Sequence, residues 1–357
     1  MFFVKNKDTF NFVNINSLPD NFMQGRFCNR TMRKTNQYTE GEIVPSGNTT
    51  GAVCAPTGEK VSLGNTGGVE CAPTGEKKLS GRGAMPQVMG ILNINNESFY
   101  QGSRHISLEE VDAAFGKMVA EEADIIDIGA CSTRPGSTPV TLEQEWKYLQ
   151  EPLKMIKEKW LSGRAEVQIS LDTFRSEIVR RAYDVLGDFI VNDISAGDDD
   201  PQMLSTVGEL GLPYIAMHKR GTPDTMQQLT DYPYGVVNAV VEYFKEFEQR
   251  AANAGIKEYV MDPGFGFAKN LEQNYELFNG IPKMLMEIAE YAGVRRRLLV
   301  GISRKGMIWK PLGITPDEAL CGTVALNLQA LLLGADIIRV HDVAQARQCV
   351  KLWEMLR

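Results

Sequence analysis

From Pro86 onward, short runs of β-branched and other apolar residues alternate with longer stretches in which apolar positions recur at spacings of three and four. Compact apolar runs bounded by turn residues mark strands, and three-four spacing marks amphipathic helices. The runs fall at 88–94, 125–129, 167–171, 189–194, 214–217, 259–261, 298–302 and 337–340, and the clearest helical stretches at 108–122, 142–159, 236–254 and 318–333. Eight such pairs in about 270 residues match the usual size of a (β/α)8 barrel. The predicted fold class is therefore α/β, a (β/α)8 TIM barrel over 85–357. An open doubly wound sheet would carry a Gly-rich phosphate turn after its first strand, whereas this first strand ends in Asn93.

Residues 1–84 read differently. From about Asn14 to Gly83 the chain is rich in Gly, Asn, Thr and Ser and holds neither period, so a mobile low-complexity leader, expected to be disordered, is predicted. Within it Cys-Ala-Pro-Thr-Gly-Glu-Lys occurs twice, at 54–60 and 71–77. Two copies are too few for a solenoid, which needs several stacked units to close a core. A tether or docking segment and a leader with no specific partner both remain open.

Composition narrows the function classes. A net charge of -7 offers no basic surface for nucleic acid, and no apolar run approaches a membrane span. The start lacks an apolar region followed by a small-residue cleavage site, and the 6 cysteines lack metal-ligand spacing. A soluble cytoplasmic protein with free thiols and small-molecule substrates is expected, with no nucleic acid or membrane partner.

The ends of the strands carry the chemistry. Nearly every run delivers an unusual polar group: Asn93, Thr133 and Arg134, Asp172, Asn192 and Asp193, His218, Asp262, Ser303-Arg304-Lys305, Arg339 and His341. In a barrel the C-terminal rim holds the site, so one convergent pocket accounts for the set. Alternation puts Arg339 and His341 on one side of the last strand, suited to a phosphate near the seventh and eighth loops. An Arg satisfied by a neighbouring carboxylate is the alternative for Arg339, and a packed core histidine the alternative for His341. Asp172 and Asp262 follow apolar strands, where an unpaired carboxylate is costly to bury, so they should meet donors such as ring N–H groups. Asn192 adds an amide that both donates and accepts. Helix capping is the other reading of each aspartate. Phe267, in the loop 262–269, can offer a flat face to a ring, and the Ser303-Arg304-Lys305 run brings two cations toward the same mouth. The 3 histidines, His105, His218 and His341, form no metal cluster, and no nucleophile triad is visible.

Taken in order, Met89-Gly90-Ile91-Leu92-Asn93-Ile94, Ser132-Thr133-Arg134-Pro135-Gly136, Asp172-Thr173, Val191-Asn192-Asp193, Met217-His218, Asp262-Pro263-Gly264-Phe265-Gly266, Ser303-Arg304-Lys305 and Arg339-Val340-His341-Asp342 resemble the signatures of the dihydropteroate synthase family. The resemblance spans Pro86 to the C-terminus. It implies condensation of (7,8-dihydropterin-6-yl)methyl diphosphate with 4-aminobenzoate, giving dihydropteroate and diphosphate in folate biosynthesis, assisted by Mg2+. It implies that Asp172, Asn192, Asp262 and Lys305 hold the pterin with Met217 beside it, and that Asn93, Arg339 and His341 grip the diphosphate and its metal. It implies further that Thr133, Arg134 and Pro135 close over the diphosphate, that Phe267 and Ser303 border the aminobenzoate, and that the protein is a homodimer through late helices.

One stretch departs from the family pattern. Where Thr-Pro-Asp-Ser-Phe and a following acid are usual, this chain has Asn95-Asn96-Glu97-Ser98-Phe99 and then Gln101. Loop drift with activity kept is one consequence. A slow or sulfonamide-resistant paralogue, or a pterin-binding module without turnover, is another. A methyltransferase of the related pterin-barrel type is a third reading, but it gives no reason for Arg339, His341 and the Ser303-Arg304-Lys305 run.

Overall fold

The computed structural model describes residues 5–6, 9–10, 85–94, 107–131, 140–162, 166–221 and 225–356. Two compact units are present, Met1–Pro73 and Thr74–Arg357. In the first, Lys5–Asn6 pairs antiparallel with Thr9–Phe10. The repeated Cys-Ala-Pro-Thr-Gly-Glu-Lys segments, Thr133, Arg134, Pro135 and the stretch from Asn95 to Gln101 lie outside the described residues.

The second unit is a closed barrel of eight parallel strands. They are β1 (Gln87–Asn93), β2 (Ile125–Gly129), β3 (Gln168–Asp172), β4 (Ile190–Asp193), β5 (Tyr214–Met217), β6 (Tyr259–Asp262), β7 (Arg297–Val300) and β8 (Ile337–Val340). Each strand pairs with the next in the chain, and β8 closes onto β1 with Arg339 opposite Met89. All eight apolar runs in the sequence are barrel strands.

Two cores follow from alternation. The inner one is an apolar layer of Met89, Ile125, Ile190, Ile215, Val260, Leu299 and Ile337, one side chain from each of seven strands. It plugs the barrel, and each such side chain contributes roughly 1.5–3 kcal/mol on burial. The outer core lies between the barrel and its helices, where Phe115 of α1 (Leu108–Ala120), Leu149 of α2 (Leu142–Ile156), and Phe244 and Phe247 of α3 (Val236–Asn253) are fully buried.

Helix starts are fixed locally. Ser107 with Glu110 and Thr141 with Gln144 form capping boxes at α1 and α2, each satisfying two backbone donors. The helical run from 142 ends as α2 at Ile156 and continues as a π turn, Lys157–Leu161. The run from 318 opens with a tight turn at Asp317–Ala319 before α4 (Leu320–Leu333). Helix ends are where periodicity carries least information.

Glu145 on α2 is fully buried and ties that helix to the end of β3. It accepts the Thr173 hydroxyl at 2.7 Å and pairs with Arg175, which also donates to the Val140 carbonyl at 2.5 Å. Removing one partner strands the other charge. Glu145→Ala should lower unfolding stability by on the order of 3 kcal/mol in urea titration; a loss under about 1 kcal/mol, the worth of a surface pair, would show that the contact is dispensable.

Candidate active site

Counting along the inward face from the apolar layer builds the site. Two residues beyond it stand Asp127 of β2, Asn192 of β4, Met217 of β5, Asp262 of β6 and Arg339 of β8. Two further on come Asn93 at the end of β1, and Ser303 and His341 just past β7 and β8. Asp172 ends β3, in register with Gly129 and Asn192. The same alternation turns Asp193 and His218 away. Asp193 accepts from Ser195, from the Gly197 amide and from the Tyr214 hydroxyl, and His218 is buried against Tyr243 and Lys269. The expectation that every strand-end polar group lines one pocket is corrected for these two.

Arg339 is the hub. Its Nε donates to Asp127 Oδ2 at 2.7 Å, and its Nη2 donates to Asp172 Oδ2 at 3.0 Å. Asn192 Nδ2 donates to the same Asp127 oxygen at 2.9 Å. The resemblance implies separate tasks, with Arg339 and His341 on the diphosphate and Asp172 and Asp262 on the pterin. The structure brings them to one mouth but corrects the separation, because Arg339 lies one step deeper than His341, half-buried among carboxylates, where a guanidinium drawn out of water is paired. His341 Nδ1 lies 3.0 Å from the Ser303 hydroxyl, whose oxygen also accepts the His341 backbone N–H at 3.3 Å.

Of the two cations in Ser303-Arg304-Lys305, only one enters the mouth. Arg304 turns to Asp342, with Nε and Nη2 at 3.0 and 2.9 Å from its two carboxylate oxygens, and to the Pro316 and Asp317 carbonyls. Its φ of +56° is uncommon for a side chain of this size and marks a tight turn at the end of β7. Lys305, next along, donates to the Phe265 carbonyl at 2.6 Å and lies 4.8 Å from the centre of the Phe267 ring.

The loop after β6 is held from both sides. Asp262 Oδ1 accepts the Gly264 N–H at 2.8 Å, so this aspartate caps its own loop as well as closing the mouth. Gly264 has φ +68°, and a Cβ there would fall 2.0 Å from the His218 carbonyl oxygen, so only glycine fits. Lys269 is buried beneath, donating to the Gly264 and Phe267 carbonyls at 2.9 Å each, with His218 Nδ1 at 3.0 Å.

Burial sets the protonation balance. It raises the Asp172 carboxyl, with the Asp127 carboxylate adding to the rise, to about 7. It raises Asp262 as well, against the opposing charge of Lys305. It lowers Lys305 to about 8 and Lys269 to about 7. His218 is held well below its ordinary value by burial and by Lys269. Near neutral pH the mouth therefore presents carboxyls able to accept N–H groups, a cation ready to donate, and one shared guanidinium.

Two of these residues were missed in the sequence. Asp127 stands mid-strand in Ile-Ile-Asp-Ile-Gly, where a lone aspartate in an apolar run was itself the signal. Lys269 closes the glycine loop and was read as part of its tail. Among the described residues no group of three His, Cys, Asp or Glu side chains could hold a metal ion.

Comparison with known proteins identifies the family of this barrel. The model of the pterin binding enzyme family matches residues 89–341. Dihydropteroate synthase of Escherichia coli (strain K12) is 40% identical over 271 residues, 75% of this chain and 91% of that protein. The Synechocystis enzyme is 38% identical over 277 residues, 77% of this chain and 91% of that one. Among solved structures, Yersinia pestis dihydropteroate synthase with a sulfonamide drug aligns with a TM-score of 0.69 at 32% identity, covering 78% of this chain and 98% of that chain. The Coxiella burnetii enzyme in complex with pteroic acid aligns at 0.65 and 32%, covering 76% and 94%. The chain is thus a pterin binding enzyme, a transferase by class. Within that class it belongs to the dihydropteroate synthase family.

A raised carboxyl pKa has a sign for stability. The unfolded Asp172 ionises near 3.8 while the folded one resists until about 7. Its contribution is therefore fully present below the unfolded value and lost as pH rises through the folded one. Asp172→Asn should match the parent in Tm near pH 3.5, gain on it between pH 4 and 7, and hold a constant advantage above. A variant less stable than the parent at pH 8 would mean that pairing with Arg339 outweighs the burial.

Proposed function

We propose that the mouth condenses (7,8-dihydropterin-6-yl)methyl diphosphate with 4-aminobenzoate to give 7,8-dihydropteroate and diphosphate, a step of folate biosynthesis. The observation that carries this reading is a set of acceptors gathered around Arg339: Asp172 pairs with it, Asn192 shares the Asp127 oxygen that it holds, and Asp262 and Lys305 lie close enough to feel its charge. Such a set fits a flat heterocycle rich in N–H groups. Met217 packs beside the ring, and Phe267 with Ser303 borders the aminobenzoate.

The electron flow suits these groups. The bond from the pterin methylene to the diphosphate oxygen breaks, the aniline nitrogen bonds to that carbon, and one N–H proton is released. As diphosphate leaves, positive charge spreads into the pterin, where Asp172 and Asp262 favour it. Arg339 and His341, with Thr133, Arg134 and Pro135 of the second loop, would take the leaving anion. No protein nucleophile is needed. Arg339 is positioned for two tasks, because the hand that grips the anion is braced on the carboxylates that steady the ring.

The donor chemistry also fits Mg2+ carried with the diphosphate. Asn93 faces the mouth with a single amide oxygen, and Mg2+ favours oxygen ligands, substrate phosphates and retained waters over an all-protein cage. When bound, the ion would offset charge on the departing diphosphate, and Asn93 would hold it.

We also place the protein in the cytoplasm as a homodimer. The described cysteines Cys131, Cys321 and Cys349 are free thiols. No described helix is long and apolar enough to cross a membrane. The helices α4 and α5 (Val343–Met355), packed side by side, expose Leu332, Leu352 and Met355, at 49%, 54% and 84%, apolar side chains that a second copy would cover. Sedimentation of the purified chain should give twice the 39.7 kDa monomer mass. A monomer at micromolar concentration would refute the dimer.

Diphosphate release from the pterin diphosphate, aminobenzoate and Mg2+ tests the reaction. Arg339→Ala should lower kcat/KM for the pterin substrate by about 2–5 kcal/mol in transition-state stabilisation. Release no faster than without protein, alongside tight pterin binding, would favour a binding module. An unchanged rate of release in Arg339→Ala would remove diphosphate handling from that residue.

A further inference from the structure

We infer that Asp127 is a positioning residue that fixes which way round Asn192 faces the ligand, and so sets which heterocycle the mouth accepts. The inference rests on the reading of Asn192 as a ring contact. Asp127 is fully buried in the middle of β2, and one of its oxygens, Oδ2, serves both Asn192 Nδ2 at 2.9 Å and Arg339 Nε at 2.7 Å. Its other oxygen, Oδ1, is buried without a hydrogen-bond partner among the described residues. A carboxylate in that place only accepts, so the side of the Asn192 amide that meets it has to be the N–H side. The reverse orientation would set two acceptor oxygens face to face in a site that admits little water.

The consequence reaches the ligand. With one N–H committed to Asp127, the amide keeps its carbonyl oxygen and its second N–H for the mouth. A free asparagine can flip and recognise a ring edge or its mirror pattern of donors and acceptors equally well. Asn192 cannot. Combined with acceptors at Asp172 and Asp262, the fixed carbonyl favours a ring edge carrying adjacent N–H donors, as a 2-amino-4-oxo pteridine does, and rejects a ring in which the amino group is missing. The same Asp127 oxygen holds the Nε side of Arg339, so the floor contact that orients the amide also aims the guanidinium.

Calorimetry compares binding of 6-hydroxymethylpterin with that of the same ring lacking its 2-amino group, while steady-state kinetics reads KM for both substrates. The parent should prefer the amino-bearing ring by roughly 100-fold or more, since a lost partner leaves buried acceptors unpaired. In Asp127→Asn that preference should fall about tenfold, with KM for the pterin diphosphate rising and KM for aminobenzoate moving less than about twofold. The double exchange Asp127→Asn with Asn192→Asp returns a donor-acceptor pair across the same gap, and it should recover most of the preference that either single change loses. Equal weakening of both rings in Asp127→Asn, or a double exchange no better than the product of the singles, would reduce Asp127 to a structural contact and overturn the inference. A parent that binds neither ring would overturn the role of Asn192 itself and the inference with it, an outcome distinguishable because it precedes any substitution. Should Asp127→Asn fail to fold, Asn192→Asp alone decides: it sets two carboxylates against each other, and an undiminished preference there contradicts an enforced N–H toward Asp127.

Discussion

A half-buried guanidinium shared between carboxylates organises the C-terminal end of this barrel. Arg339 lies within hydrogen-bonding reach of both Asp127 and Asp172. Removing a charge of this kind from water is costly, and it persists only when paired and hydrogen-bonded. The pairing dictates geometry outward: Asp127 orients Asn192, and Asp172 is held at the rim with a raised pKa. The mouth is polar by construction and stands directly on an apolar layer supplied by seven strands. Rigidity below and charge above keep the groups in place without a ligand to order them.

The loop after β6 shows the same economy. Asp262 is fixed by the Gly264 amide, Gly264 is pressed onto the His218 carbonyl, and Lys269 gathers the Gly264 and Phe267 carbonyls from beneath. Burying two lysines near one aspartate depresses both lysine pKa values toward the neutral range. Burial is the means by which this chain tunes the charge of these groups toward neutral pH.

Much of this was legible in the residues. Strands and their inward faces follow from a period of two, so β1 to β8 and the placing of Asn93, Asn192, Asp262 and Arg339 were readable from apolar runs and the polar residue that ends each. What alternation alone did not give was depth. Arg339 and His341 share a face, yet the step between them puts one among carboxylates and the other beside Ser303. Arg304 and Lys305 are neighbours in sequence, and a positive φ at Arg304 sends them in different directions. Asp127 was visible as a charge in an apolar strand, but its partner lies 212 positions away, a contact that only barrel closure creates.

The central claim is that Asp172, Asn192, Asp262 and Arg339 act as one ring-binding unit at the mouth. A crystal structure of the protein with 6-hydroxymethylpterin tests it most directly. The account predicts the ring stacked in the mouth, its N–H groups within about 3.2 Å of the Asp172 or Asp262 carboxylates and of the Asn192 amide oxygen. A ring bound elsewhere, or in the mouth with those acceptors turned away from it, would contradict the account.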